Sequence, residues 1–293
     1  MPAALITGAS TGIGRATALR LARGGWTVLA GVRDPAAGEM LQQELSEGSA
    51  VRAGGGRLIP LALDVTDAEQ ISAAARRVEG EAADSSAPAQ GGLDALVNNA
   101  GIVVGGPLEL VPLPELRRQL EVNVVGQVAV MQAVLPALRR SRGRIVLVSS
   151  VGGRVATPFL APYQASKHAL EAFGDALRLE LRTSQVRVAL IEPGSVATPM
   201  WDKGRGDVDR LSIPPELHAQ YGHVRAAVGK AIEDTSRRGV PPEQVAQTIE
   251  QALTARRMKA RYVVGRDARA IVLLHGLLPD LLFDRVVRRA MGV

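Results

Sequence analysis

The sequence contains no cysteine, which excludes disulfides and thiolate metal sites and fits a reducing compartment. Histidines number four, in no metal-binding spacing, so no metal site is expected. Aromatic residues are 3% of the chain, too few for a base-stacking surface. Only four of the 35 basic residues are lysine, and they form no long run. The formal charge of +6 therefore reads as arginine usage rather than a nucleic-acid footprint, though the field favours small anions. No stretch reaches the roughly 18 uncharged apolar residues of a membrane span. The start, Met1 to Ile6, has neither a basic nor a long apolar region and reads as a strand, not a signal peptide. A cytoplasmic location is the expectation. What is present is 46% hydrophobic residues over 293 positions, ample for one large core.

Strand and helix patterns alternate from the first residues. Strands are expected at 3–6, 27–32, 58–63, 93–97, 144–149 and 186–191. Helices are expected at 12–23, 38–47, 68–82, 113–139 and 161–183. This order implies an α/β fold: a doubly wound parallel sheet of Rossmann type with helices on both faces, as a single domain over 1–293. Runs such as Ile145-Val146-Leu147-Val148 are apolar on both sides, as a doubly covered sheet requires. Ser85–Gly92 reads as an exposed insertion. Residues 199–240 mix glycines, prolines, charges and scattered apolar side chains, and read as a linker or substrate flap. A helix at 242–255, a strand at 261–264 and an apolar tail at 268–293 complete the chain.

The first strand ends in Thr7-Gly8-Ala9-Ser10-Thr11-Gly12-Ile13-Gly14, and a helix follows. Glycines allow a tight turn and bring a diphosphate to free N–H groups at a helix N-terminus. No Gly-Lys-Ser/Thr follows, which disfavours a P-loop. Gly8 to Gly12 also spells the G-x-S-x-G of hydrolase elbows. That reading needs an oxyanion loop after an earlier strand, and only seven residues precede Gly8. The second strand ends Gly31-Val32-Arg33-Asp34. Val32 stands where an NAD site would carry a carboxylate, and Arg33 suits a 2′-phosphate. NADP(H) is favoured. NAD(H) is the alternative, with Arg33 a surface charge and Asp34 on the ribose.

Tyr163 and Lys167 lie four residues apart on one helix face. A nearby ammonium favours a phenolate, so the tyrosine can exchange a proton with a carbonyl or an alcohol. Three tyrosines and four lysines make a chance pairing rare. Ser149 and Ser150 close the fifth strand, at the edge where a parallel sheet presents its ligands.

Together these residues resemble the short-chain dehydrogenase/reductase family. The motifs are Thr7-Gly8-x-x-x-Gly12-Ile13-Gly14, Asp64-Val65, Asn98-Asn99-Ala100-Gly101, Asn123, Ser150, Tyr163-x-x-x-Lys167 and Pro193-Gly194 with Thr198, in the family's order. The resemblance implies a catalytic set of Asn123, Ser150, Tyr163 and Lys167. Tyr163 would be the acid/base. Lys167 would lower its pKa and hold the nicotinamide ribose, Ser150 would polarise the substrate oxygen, and Asn123 would hold a relay water. Gly8, Ser10, Thr11, Gly12, Ile13, Gly14 and Arg33 would bind the cofactor. So would Asp64, Val65, Asn99, Ala100, Gly101, Pro193, Gly194, Val196 and Thr198.

Gly31–Asp34, Ile191-Glu192-Pro193-Gly194 and the long region after Thr198 resemble the hydroxysteroid and retinol dehydrogenase branch. That resemblance implies an apolar carbonyl or secondary alcohol as substrate. It also implies a homodimer or homotetramer formed through helices 113–139 and 163–183. For the tail, packing within or between subunits is expected first and peripheral membrane contact second. The competing class is a non-catalytic NADP(H)-binding regulator, which would be expected to lack Tyr163 or Lys167.

Overall fold

The computed structural model describes residues 1–47, 55–84 and 92–291. In chain order the first half comprises β1 (Ala3–Ile6), α1 (Gly12–Arg23), β2 (Thr27–Val32), α2 (Pro35–Glu47), β3 (Arg57–Ala62), α3 (Ala68–Asp84), β4 (Ala95–Asn98), α4 (Leu113–Leu120) and α5 (Gly126–Ser141). Then come β5 (Arg144–Val148), α6 (Ala161–Glu180), β6 (Arg187–Pro193), α7 (Met200–Asp209), α8 (His218–Tyr221), α9 (Val224–Arg238), α10 (Pro242–Thr254), β7 (Arg261–Val264), α11 (Arg266–Leu277) and α12 (Asp280–Met291). The sheet is parallel throughout, in the order β3-β2-β1-β4-β5-β6-β7. The order reverses between β1 and β4, which opens a crevice at their carboxyl ends.

Two apolar layers sandwich the sheet. On one face Leu19, Leu41, Val245 and Ile249 bring α1, α2 and α10 against the strands. On the other, Ile71, Val78, Val130, Val134 and Leu138 do so for α3 and α5. The helical stretch from Leu113 to Ser141 has the length and apolarity to cross a bilayer, but its Val130, Met131, Val134 and Leu138 are buried on the sheet.

The expected elements are present, with shifted ends. Helix α2 begins three residues early, because Asp34 accepts the Ala36 N–H at 3.0 Å and Pro35 suits a first helical turn. The helix expected at 113–139 is split by a π-helical turn at Glu121–Val125. The 199–240 region is not a linker: α7, α8 and α9 occupy most of it, because Val208, Leu211 and Val224 form a small core of their own. The tail is two helices that part at Leu278-Pro279, where proline has no N–H to continue the first. Apart from Gly92, the expected insertion Ser85–Gly92 lies outside the described residues.

Candidate active site

The glycine turn is shaped by backbone contacts. Gly8 and Gly12 have φ of 64° and 55°, a left-handed region that disfavours side chains. A Cβ on Gly14 would stand 2.2 Å from the Gly8 carbonyl oxygen, so no side chain fits there. Thr7, after β1, and Asn99, after β4, brace the turn. Asn99 Nδ2 donates to the carbonyls of Thr7 and Gly8, both at 3.0 Å. The Thr7 hydroxyl accepts the N–H groups of Asn99 and Ala100, both at 2.9 Å. Gln127 Nε2 donates to the Ala100 carbonyl. Thr7 and Gln127 carried no assigned role in the sequence; Thr7 was visible as the first residue of the glycine motif, and Gln127 had no signal.

Helix α1 starts with no side-chain cap and no acid in its first turn. Its N–H groups and dipole are thus left for an anion. Across the crevice, Thr198 Cγ2 would lie 3.0 Å from a Cβ on Gly12, so the Pro193–Thr198 segment closes over the turn. That segment is itself fixed. Ser195 N–H donates to Asp267 at 2.9 Å, and Val196 bridges Val240. Asp267 was not foreseen, since it comes from α11, far along the chain. This cradle of glycine backbone, free helix N–H groups and a facing loop fits a dinucleotide.

Beside the crevice, Asp34 is spent on capping α2, while the exposed Arg33 forms no ion pair among the described residues. Asp64 accepts from the Thr66 N–H and hydroxyl at 2.9 and 2.8 Å, and is half-buried at the end of β3. Val65 is buried, its carbonyl 2.4 Å from where a Gly126 Cβ would sit. Ser10 and Arg15 line a second cleft with Glu44, to which Arg15 is paired. Among the described residues no histidine hydrogen-bonds Ser10, and the hydrolase reading has no base.

Tyr163 and Lys167 share the inner face of α6, each about 5% exposed. The Lys167 ammonium lies 5.7 Å from the Tyr163 ring centre and donates to the Val148 carbonyl at 2.8 Å. Burial pushes the phenol up to about 12, against the pull of the Ser150 hydroxyl towards phenolate. Burial pushes Lys167 down to about 8, against the charge of Glu171. The expected lowering of Tyr163 is therefore reversed. The low-dielectric site penalises the phenolate more than its surroundings stabilise it.

Ser150 accepts the Gly152 N–H at 3.1 Å and donates to the Pro193 carbonyl at 3.4 Å, which orients its hydroxyl beside Tyr163. Asn123 sits on the π-helical turn, fully buried. Its amide donates to the Ile102 carbonyl at 3.0 Å and to Ser166 at 3.1 Å, and accepts the Ile102 N–H at 2.8 Å.

Over Ser150 and Tyr163 opens a cavity of about 270 Å³. Val155, Phe159, Trp201, Val208, Ile232 and Ile271 give it an apolar wall drawn from four separate segments. Trp201 meets the Tyr163 ring edge-on at 6.0 Å. Phe159 holds a left-handed φ of 69°, a strained backbone at the pocket rim.

Residues 2–209 match the family model described as short chain dehydrogenase. The chain belongs to the short-chain dehydrogenase/reductase family.

It is similar to the uncharacterized oxidoreductase YusZ of Bacillus subtilis (36% identical, covering 98% of each chain). It is also similar to an NADPH-dependent 3-dehydrocapnine reductase of Ornithobacterium rhinotracheale (33%, covering 97% and 95%). A third relative is mouse retinol dehydrogenase 5 (34%, covering 96% and 86%), in keeping with the retinol and hydroxysteroid dehydrogenase-like branch. Among solved structures, a short-chain dehydrogenase from Streptomyces avermitilis superposes with a TM-score of 0.75 (28% identical, 99% and 96% covered). One from Burkholderia cenocepacia in complex with NADP gives 0.68 (26%, 97% and 96%). One from Burkholderia phymatum in complex with NAD gives 0.74 (26%, 93% and 92%). The protein is an oxidoreductase of CH–OH groups, and its family uses either nicotinamide cofactor.

Proposed function

We propose that this short-chain dehydrogenase interconverts an apolar carbonyl compound and its secondary alcohol with NADP(H), using Tyr163 as acid/base. The observation that carries the reading is the placement of Ser150 and Tyr163 on the floor of an apolar cavity, beside the dinucleotide cradle. Bound nicotinamide supplies the hydride in reduction and accepts it in oxidation. Tyr163 donates its phenolic proton to the carbonyl oxygen in reduction and takes one from the hydroxyl in oxidation. Ser150 donates a hydrogen bond to the same oxygen. Lys167 steadies the phenolate left behind and binds the ribose. Asn123, whose side chain is held by Ile102 and Ser166, would hold the relay water. Excluding water from the apolar cavity strengthens each of these contacts.

Arg33 favours the phosphorylated cofactor, since it has no competing ion pair among the described residues and Asp34 is engaged elsewhere. Residues 199–240 form the flap, with Trp201, Val208 and Ile232 among its contributions to the cavity. Phe283 and Val287 of the tail pack around Val155, which leaves Leu273, Leu277 and Leu281 exposed for subunit contact or, second, a membrane surface. The setting is cytoplasmic.

A panel of apolar ketones, aldehydes and secondary alcohols, assayed with both cofactors, tests this reading. NADPH-dependent reduction of bulky apolar ketones is expected. Cofactor binding without turnover across the panel would favour a regulatory protein instead.

A further inference from the structure

The segment that follows β6 runs the length of the crevice. At one end the Ser150 hydroxyl donates to the Pro193 carbonyl at 3.4 Å, next to Tyr163. At the other end Thr198 Cγ2 stands 3.0 Å from where a Gly12 Cβ would be. A dinucleotide with its diphosphate at the glycine turn and its reacting ring at Tyr163 therefore passes along residues 193–198 with its nicotinamide half.

Three backbone contacts hold this segment. Gly194 N–H donates to the Val264 carbonyl at 2.9 Å, and Ala197 N–H to the Val240 carbonyl at 3.1 Å. The Ser195 carbonyl accepts the Val240 N–H at 2.9 Å. Between them, Ser195 N–H donates to Asp267 Oδ2 at 2.9 Å, and Asp267 is the side chain among these anchors. Its carboxylate has little slack. A Cβ on Gly194 would lie 2.5 Å from Oδ2 and 2.6 Å from Oδ1, and one on Gly265 would also meet Oδ1. Gly265, with a φ of 107°, turns the chain from β7 directly into α11. That turn brings Asp267, in the first turn of α11, against a residue 72 positions earlier. Ala268 beside it is buried, and Ile271 one turn on lines the apolar cavity together with Gly194, Ser195 and Asp267. Helix α11 thus meets the cofactor segment and the cavity wall at once.

We propose that Asp267 is a positioning residue that holds residues 194–198 in place over the nicotinamide half of the cofactor. It acts through the Ser195 backbone and has no part in binding the adenylate half. The proposal rests on the dinucleotide reading of the cradle, and its test does not use turnover.

Calorimetric titration of the full-length protein compares NADP⁺ with 2′,5′-ADP, which carries the phosphorylated adenylate half and no nicotinamide. In Asp267→Ala the acceptor is gone. NADP⁺ affinity should fall about tenfold, in the range of one charge-assisted hydrogen bond, while 2′,5′-ADP affinity is unchanged. Asp267→Asn keeps an acceptor oxygen at the same reach and should restore most of the NADP⁺ affinity. Amide exchange at Ser195 and Ala197 should quicken in the alanine variant and not in the asparagine one.

A carboxylate that serves only to stabilise the start of α11 through its charge would behave differently. Both variants would then lose thermal stability and bind NADP⁺ as wild type does, which overturns the proposal. An equal fall for NADP⁺ and 2′,5′-ADP overturns it too. Should the alanine variant fail to fold, Asp267→Glu is read in its place. It keeps the charge at the helix start, but its extra methylene has no room against Gly194, so the same selective fall is expected. Failure of the NADP(H) reading would instead appear as wild type that ignores 2′,5′-ADP, and NAD⁺ against 5′-AMP then carries the same comparison. Wild type that binds neither pair overturns the cradle and the proposal together.

Discussion

The two halves of the site are built on different terms. The cofactor half, from β1 to Thr198, depends on backbone: left-handed glycines, a carbonyl 2.2 Å from where a Gly14 Cβ would be, and the Thr7–Asn99 brace. The substrate half depends on side-chain volume, gathered from 103–105, 155–160, 201–208, 228–235 and 268–291. A backbone requirement leaves one permissible residue and so a motif. A volume requirement is met by many apolar combinations and leaves none.

The comparison is sharpest in variants that strike one half alone. The largest effect is expected at the point where the halves meet. Tyr163→Phe should lower kcat by about 10²- to 10⁴-fold while cofactor affinity holds, because only the transferable proton is lost. Near-normal kcat in this variant would remove Tyr163 as the acid/base. Next comes Gly14→Ala in the cofactor half, where the added methyl has no room beside the Gly8 carbonyl. It should destabilise the fold by about 1–3 kcal/mol and weaken cofactor binding; a calorimetric titration with NADPH and a thermal melt read both.

Ile232→Ala in the substrate half should do the opposite. A roughly tenfold or greater rise in KM for bulky apolar substrates is expected, with cofactor affinity unchanged. If cofactor affinity fell as far as substrate affinity, the two halves would not be separable. A change of about 1.5–3 kcal/mol is expected at the 2′-position, the range of a charge-assisted contact. Val32→Asp should thus move preference from NADPH towards NADH, and equal or better kcat/KM with NADH in wild type would refute the role of Arg33.

The smallest effect is in stability at high pH. The buried Tyr163 ionises near 12 in the folded protein against 10.0 in an exposed phenol. The unfolded chain therefore releases that proton first, and stability falls as pH rises from 10 through 12. Lys167 acts oppositely: its folded value near 8 lies below the usual 10.5, so stability rises between those pH values. Thermal melts across this range should show wild type losing ground to Tyr163→Phe only above pH 10. A difference of constant size would mean the phenol is not buried in solution.

The parallel sheet was legible in the sequence because both faces are covered, and doubly covered strands are uninterrupted apolar runs such as Ile145–Val148. The glycine turn and the Tyr163–Lys167 pair were legible because each is a local arrangement, fixed by neighbours three or four positions away. The helical nature of 199–240 was not, since α7 and α9 bury few residues and are stabilised by each other. The direction of the Tyr163 shift was missed for a related reason. An i, i+4 lysine is visible in sequence, but the burial of the phenol, which outweighs the pull of the Ser150 hydroxyl, arises only when distant segments pack around it.

The sequence by itself determined the alternation of strands and helices up to β6, the glycine turn and the pairing of Tyr163 with Lys167 on one helix face, because backbone sterics and helix periodicity act over a few residues. Tertiary structure decided which side chains line the apolar cavity, that Asp267 fixes the Ser195 backbone, and that Glu171 and Glu192 meet Arg261 beneath it. The Asp267 and Arg261 contacts join residues 69 to 90 positions apart, and burial and charge balance at such distances exist only once the chain has folded.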